Sequence, residues 1–558
     1  MKRRLCKILC MALALLLLAG CTAPAAPVQT ELTDEPASPA ELPATSETPA
    51  PTEPAPTEPA ATDPPSVQQI ITDYSAYTPK PAMEMKFTRL QEDWIPALIP
   101  GDYGAIYPFV GGTLYENGSI GYAYHAADYY GFVTADGMIV CDPVYTGVSR
   151  LSIWDSWYDK RTPSPLWLIE KTTELHEEHY EDYSWMTGES RYAVAAADGS
   201  FITDFKYSNV TGFDGGFIGE ISWNPTSFEV CDLEGNVLFT SRAVPWSVSQ
   251  GGYYSIYYSE GYFTVFGDSA DCLLDRSGRV VLGPYPIVRN VCEGLVGVSK
   301  DGEHCGYMRP DGTWAIEPKY STIDNFRYGY AQVRLDNGRT TVVDHEGTEY
   351  LSFFDVYLEP FGDAGCLVTD YAGSSEIFSL DGMQLYKNVY AQRWSILSED
   401  LLYAQTYPGI KIFRVSTGET LELPGMEYLT SYYGTLLNYN GQTCYGACSW
   451  NYNDDGSYEV NSVLFTPELE ILAELDGVDL STIADDETAT LLPCLYRQDS
   501  NTVIYQWADG APAGTFASSV NVRFVGDYML YANDACSVMI NRSGEILFCY
   551  PLLSRFED

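Results

Sequence analysis

The residues that could hold a metal or break a bond are few and badly spaced for either task. His176-Glu177-Glu178-His179 brings two imidazoles and two carboxylates together. The zinc-protease pattern sets its His four apart on a helix, with Glu directly after the first. Here they are three apart, no third ligand can be named, and the flanking Tyr and Glu run reads as a polar hairpin. A solvated charged loop is the better reading, and no metal is expected. Asn451, Asn453, Asp455 and Gly456 imitate the first half of a calcium loop. At the twelfth position, where a bidentate acid belongs, stands Ser462, with Glu459 nearby. Asn-Asp-Asp-Gly is also what a plain hairpin loop uses, so the hairpin is favoured over a weak calcium site.

Nucleophilic catalysis has no foothold. The chain shows no Gly-x-Ser-x-Gly elbow, no Ser-x-x-Lys signature in a convincing setting and no phosphate loop. Two carboxylates could always be picked from 76 acids, so a named pair would be arbitrary. No catalytic residue is assigned, and no enzyme is expected. Eleven of the 14 Cys follow Cys21, an odd number with no spacing framework, which argues against a disulfide scaffold. They read as small buried apolar residues. Cys444 and Cys448 are the one close pair, and a bridge between them is left open.

Aromatic side chains carry the strongest binding signal. The stretch 151–191 holds Trp154, Trp157, Tyr158, Trp167, Tyr180, Tyr183 and Trp185. Exposed Trp and Tyr suit sugar stacking or protein hot spots. Trp154, Trp157, Tyr158, Trp167, Tyr183 and Trp185 form the candidate ligand-binding surface; the competing reading is that these rings cover a sheet edge.

The elements that position these residues repeat. An apolar strand, a turn of acid or Ser plus Gly, and a second strand recur at Gly137, Gly199, Gly235, Gly278, Gly312, Gly347, Gly382, Gly418, Gly510 and Gly544. From Gly278 to Gly418 the steps are 34 to 36 residues, and Leu464-Phe465-Thr466-Pro467-Glu468 hides one more copy without Gly. That makes about eleven copies. The Gly137–Gly199 step is 62 residues, so the aromatic stretch is an insertion, and insertions in repeat folds map to one face. Asp-Gly and Glu-Gly supply the positive φ of a tight hairpin. A second marker precedes many hairpins: Glu260-Gly261, Glu293-Gly294, Tyr328-Gly329 and Ala364-Gly365. Strands such as Tyr330-Ala331-Gln332-Val333-Arg334 alternate as half-buried antiparallel strands do. Each copy should give three strands or four.

Three segments carry a resemblance. Cys305-Gly306-Tyr307-Met308-Arg309-Pro310-Asp311-Gly312, then Ala315 to Tyr320, then Phe326 to Val333 resemble the WG repeat of bacterial surface proteins. Tyr130-Gly131-Phe132-Val133 through Tyr145 looks like a second copy, and the likeness fades beyond about residue 350. Tyr130 and Cys305 stand where the family has its namesake Trp. The resemblance implies a β-repeat array with binding roles and no catalytic residues.

The expected fold is all-β, a propeller-like array of short antiparallel hairpins. A mean step of about 41 residues fits a four-stranded blade. Eleven copies exceed the usual 4–8 blades, so two smaller propellers or an open β-solenoid are the alternatives.

The N-terminus supplies an address. Lys2, Arg3, Arg4 and Lys7 precede the apolar run Ile8 to Ala19, which is too short to span a bilayer. Leu18-Ala19-Gly20-Cys21 resembles the lipobox of bacterial lipoproteins, which implies cleavage after residue 20 and a diacylglycerol thioether on Cys21. Residues 22–66 hold twelve Pro, eight acids and no bases. Such a segment cannot bury enough apolar surface to fold, and Pro extends it. The expected organisation is therefore a signal peptide (1–20), a lipidated stalk (21–66) and a repeat domain (67–558). A net charge of −45 disfavours nucleic acid, which needs a basic patch. The function expected is a lipid-anchored, extracytoplasmic binding or scaffold module for a protein or envelope polymer. Glycan binding or processing is the alternative.

Overall fold

In a computed structural model the described residues are 98–115, 126–155, 160–179, 184–223, 225–386, 393–406, 409–429, 437–439, 442–452, 458–476, 494–499, 502–507, 512–517, 521–525, 527–532, 536–551 and 553–554. Residues 1–97, which include the expected signal peptide, Cys21 and the expected stalk, lie outside them. Among the described residues the strands form ten sheets. One is seven-stranded and merges two copies, so the sheets comprise eleven units. These span 106–145, 147–207, 209–240, 254–285, 287–320, 322–354, 356–386, 393–424, 428–476, 494–517 and 521–551. The turn glycines read from the sequence fall one to a unit, apart from Gly510, which lies outside the described residues.

The fourth unit shows the pattern. Its strands Tyr254–Ser259, Tyr262–Gly267, Asp271–Asp275 and Val280–Tyr285 pair in chain order, each antiparallel to the last. Successive side chains point to opposite faces, so both faces must be covered. Phe263, Val265, Cys272 and Leu274 pack on the third unit. Leu273 and Leu282 pack on Val288, Val296 and Met308 of the fifth. Sharing faces in this way buries the middle strands completely, as in Leu295–Ser299 and Cys305–Met308.

Two turn types do two jobs. In units four and five the loop between first and second strands has two residues, both left-handed: Glu260 (φ 48°) with Gly261 (88°), and Glu293 (54°) with Gly294 (76°). This is the twist a two-residue hairpin needs. Between third and fourth strands only the glycine is left-handed. Gly278 N–H donates to Asp275 C=O at 2.9 Å, and the Asp275 carboxylate accepts the N–H groups of Ser277 and Arg279. The Asp or Glu before such a glycine therefore does not take positive φ, contrary to the sequence expectation. In the copy without glycine, Leu469 occupies the left-handed position (φ 68°).

The array closes on itself. The C-terminal strand Leu553–Ser554 pairs with Gly112 and Thr113, completing the first sheet as its fourth strand. Phe109, Val133 and Ile139 of the first unit share a core with Leu530, Met539 and Phe548 of the last. The fold is nearly all-β and propeller-like. The seven-stranded sheet arises where the first strands of the second and third units pair in parallel at Ile153 and Gly212. No helix among the described residues is long and apolar enough to cross a membrane.

Candidate binding face

Strand polarity gives the repeat domain two unlike ends. In the four-stranded units three to eight the first-to-second and third-to-fourth turns lie at one end. The second-to-third turns and the links between units lie at the other. Single residues (Pro286, Ser321, Asp355) link units four to seven, so these ends stay in step.

The first end is tied together. Glu260 accepts the backbone N–H groups of Glu293 (2.5 Å) and Gly294 (2.8 Å) in the next unit. Glu293 accepts Gly329 N–H at 2.9 Å and meets His345 Nε2 at 3.0 Å, both one unit further on. Arg276 likewise reaches back to the Asp214 carbonyl at 3.1 Å. This latch was missed in the sequence, although acids one repeat apart before Gly261 and Gly294 are its signal.

The second end is aromatic. Trp223, in a second-to-third turn, is 67% exposed, and Trp246, in the link to the fourth unit, is 77% exposed. Tyr253 follows in the same link and meets the Trp223 ring edge-on, centroids 6.4 Å apart. Thr226 fixes this corner: its N–H donates to Gly252 C=O (2.6 Å), and Tyr254 OH donates to Thr226 C=O (3.0 Å). At the junction of the sixth and seventh units Phe354, Tyr357 and Tyr371 are exposed at the same end. Tyr357 and Tyr371 stand perpendicular at 5.2 Å, and Asp370 holds the turn by accepting the N–H groups of Ala372 and Ser374. An exposed ring at a turn and a buried ring in a strand look alike in a sequence, which hid this rim.

A cleft opens where the first-to-second loop and second strand of unit six meet the first strands of units seven and eight. It holds about 230 Å³ and is lined by Asp324, Asn325, Arg327, Gln332, Tyr357 and Glu359, among others. Asp324 Oδ2 accepts Gln332 Nε2 at 2.8 Å, and Gln332 Oε1 accepts Leu358 N–H at 2.6 Å. The protein around Glu359 raises its carboxyl pKa, and Arg327 pulls it partly back.

The aromatic surface expected at 151–191 is corrected in two ways. Trp167 is 1% exposed, packed on Phe132 with the Arg150 guanidinium 3.9 Å over its ring, and belongs to the core. The remainder is not one surface. Trp154 pairs with Arg161 near the first-to-second turn, whereas Trp185 pairs with Glu178 at the far end of the 20-residue strand Lys160–His179. At about 3.3 Å per residue these positions lie roughly 55 Å apart. Trp157, Tyr158, Tyr180 and Tyr183 fall outside the described residues. His176 and His179 lie in that strand, opposite Thr187 and Ser184, not on a helix turn. Asn451 lies next to last in the strand Gln442–Tyr452, opposite Glu459, while Asn453, Asp455 and Gly456 lie outside the described residues. Cys444 and Cys448 sit four apart in the one strand Gln442–Tyr452, about 13 Å along it, too far to bridge.

Comparison with known proteins adds the repeat's identity. The family model described as "WG containing repeat" matches residues 306–338. The chain carries a WG repeat. The unit geometry explains the repeat's glycine. Gly131 sits at a bulge between the second and third strands of the first unit, and Gly306 at a bulge between the third and fourth strands of the fifth. A Cβ at Gly131 would lie 2.5 Å from the Cys141 carbonyl oxygen, and one at Gly306 2.5 Å from that of Ile316. No curated protein matches the chain. Among solved structures it is similar to BamB from Moraxella catarrhalis (10% identity, 61% of this chain and 96% of that one, TM-score 0.26). It is also similar to apo AztD from Citrobacter koseri (10%, 60% and 94%, 0.23) and to the WD40 beta propeller domain of Doa1 (12%, 46% and 89%, 0.21). At overlaps this low the fold is carried by the chain's own sheets and their pairing.

Proposed function

We propose that the protein is a membrane-tethered binding or scaffold module that presents the aromatic end of its repeat domain to a protein or envelope polymer outside the cytoplasm. One observation carries the reading: exposed Trp and Tyr gather at one end, while acids and backbone amides tie the other. Rings of this kind, held by turns on a rigid scaffold, supply contact area at little entropic cost. The tether rests on the lipobox-like Leu18-Ala19-Gly20-Cys21 and the Pro-rich stalk. Two acyl chains on one Cys would anchor stably where a single chain would not.

Two measurements test it. Cys21→Ala should abolish acyl labelling and move the protein out of the membrane fraction; unchanged partitioning defeats the anchor. Immobilised protein should retain a partner from envelope extract at micromolar concentration, and Trp223→Ala with Trp246→Ala should release it. Retention of nothing, or retention indifferent to both changes, counts against the binding reading.

The exposed Trp223 and Trp246 also favour a second reading, glycan recognition by stacking. Binding to a glycan array that disappears in the same variants would support it, and released reducing ends would make the protein an enzyme.

A further inference from the structure

The insertion in the second unit builds a β-ribbon that outruns its sheet. The strand Lys160–His179 has Gly147–Asp155 on one side and Ser184–Ala196 on the other. Pairing on the first side stops where Gly147 stands opposite Glu170. Thr146 adds the last ties there: its N–H donates to Glu170 C=O at 3.0 Å, and its hydroxyl oxygen accepts Thr172 N–H at 2.9 Å. Pairing on the second side continues until His179 stands opposite Ser184. Residues 173–179 therefore run on for roughly 23 Å, at about 3.3 Å per residue. Along that length their outer edge pairs with no strand among the described residues.

The ribbon leaves from the aromatic end. Gly147–Asp155 runs parallel to Asn209–Phe213, the first strand of the third unit, so it starts at the end where the links between units lie. Trp223 and Trp246 are exposed at that end, on the third unit and the link that follows it. The second and third units share one sheet.

An open edge offers a row of unpaired N–H and C=O groups, and two strands alone are marginally stable in water. A third strand answers both. Charge decides which kind. Residues 174–189 hold Glu174, Glu177, Glu178, Glu181, Asp182 and Glu189, with no Lys or Arg. A second copy would set acids against acids, and like charges on neighbouring strands repel. An extended segment carrying Lys or Arg meets opposite charge instead, and its backbone supplies the pairing.

We propose that the outer edge of residues 173–179 takes an extended, basic segment of a protein partner as an added antiparallel strand. The segment continues the line of Gly147–Asp155, with its C-terminal end towards Thr146. The inference rests on the binding reading above and names the form and charge of the partner. The long-range field agrees, since a body at −45 draws basic partners.

The test uses the full chain at physiological salt with labelled peptides of five Lys-Val repeats or five Glu-Val repeats. A third peptide, Lys-Val N-methylated at alternate residues, keeps the charge and loses one edge of backbone donors. Fluorescence anisotropy should rise with Lys-Val, stay flat with Glu-Val, and show at least tenfold weaker binding of the methylated form. Hydrogen exchange at the edge amides of 173–179 should be fast in the free protein and slow with Lys-Val. The joint change Glu174→Gln, Glu177→Gln and Glu178→Gln should weaken Lys-Val at least tenfold, with circular dichroism unchanged. Equal binding of the methylated peptide, binding of no peptide, edge amides already protected in the free protein, or exchange there indifferent to Lys-Val overturns the proposal. Partner capture separates the two readings: a partner released by Trp223→Ala with Trp246→Ala but retained after the three Glu changes leaves the binding module standing and removes the added strand.

Discussion

Glu260 and Gly294 are 34 residues apart in the chain and 2.8 Å apart in space, the carboxylate of one unit accepting a backbone N–H of the next. The same relation recurs between Glu293 and Gly329. A left-handed two-residue turn aims its amides outward, and an acid one repeat earlier meets them. Hydrogen bonds to a charged group are the stronger kind, but exposure lets water replace them.

The two latch acids should therefore differ. Glu260 is exposed, and Glu260→Ala should cost about 1 kcal/mol. Glu293 is half-buried and also meets His345, so Glu293→Ala should cost about 2 kcal/mol. Urea unfolding of both variants checks the order; a larger loss at Glu260 would contradict it.

Trp167 and Trp223 should behave as opposites. Trp167→Ala removes a fully buried ring and should cost about 3–5 kcal/mol. Trp223→Ala removes an exposed one and should stay within about 0.5 kcal/mol while abolishing partner retention. Denaturant midpoints beside a capture assay distinguish them.

Alkali should unfold the protein before it modifies the thiols. Burial pushes Cys272 up to about 12, Cys231 and Cys444 to about 11, and Tyr445 to about 12. These groups hold their protons more tightly when folded. Their contribution is complete below pH ~9 and is lost as pH climbs from there towards 12. Stability measured across pH 8–11 should fall, and at pH 8 the buried Cys should react with a thiol reagent only in denaturant. Fast labelling of Cys231 or Cys272 in the native protein would refute this.

Removing residues 552–558 takes away the strand that completes the first sheet. The Ile106–Tyr115 strand then has an unpaired edge, a template for pairing with another chain. The truncated protein should show a lower denaturant midpoint and added oligomers on size exclusion. A monomer of unchanged midpoint would show that the closing strand contributes nothing.

Much of the architecture was legible because one turn chemistry recurs. The glycines from Gly137 to Gly544 mark the units, and even the copy without glycine was found from Thr466-Pro467-Glu468. What could not be read is set by partners distant in sequence. Gly112 pairs with Leu553, and Ile153 pairs with Gly212, through backbone groups that leave no side-chain signal. Trp167 and Trp223 are the same residue type near similar strands, and only packing against Phe132 decides that one is inside. The aromatic insertion misled for a related reason. Closeness in sequence along a 20-residue strand is distance in space.

One-residue joins at Pro286, Ser321 and Asp355 leave no slack between neighbouring units. A lineage of such proteins can lengthen or shorten only by whole copies, because a partial one would put its strands out of phase with the sheet that follows. Every gain or loss must also let the tail at 553–554 return to the start. Copy number is thus a heritable dial with discrete stops, and it sets the circumference without altering the unit.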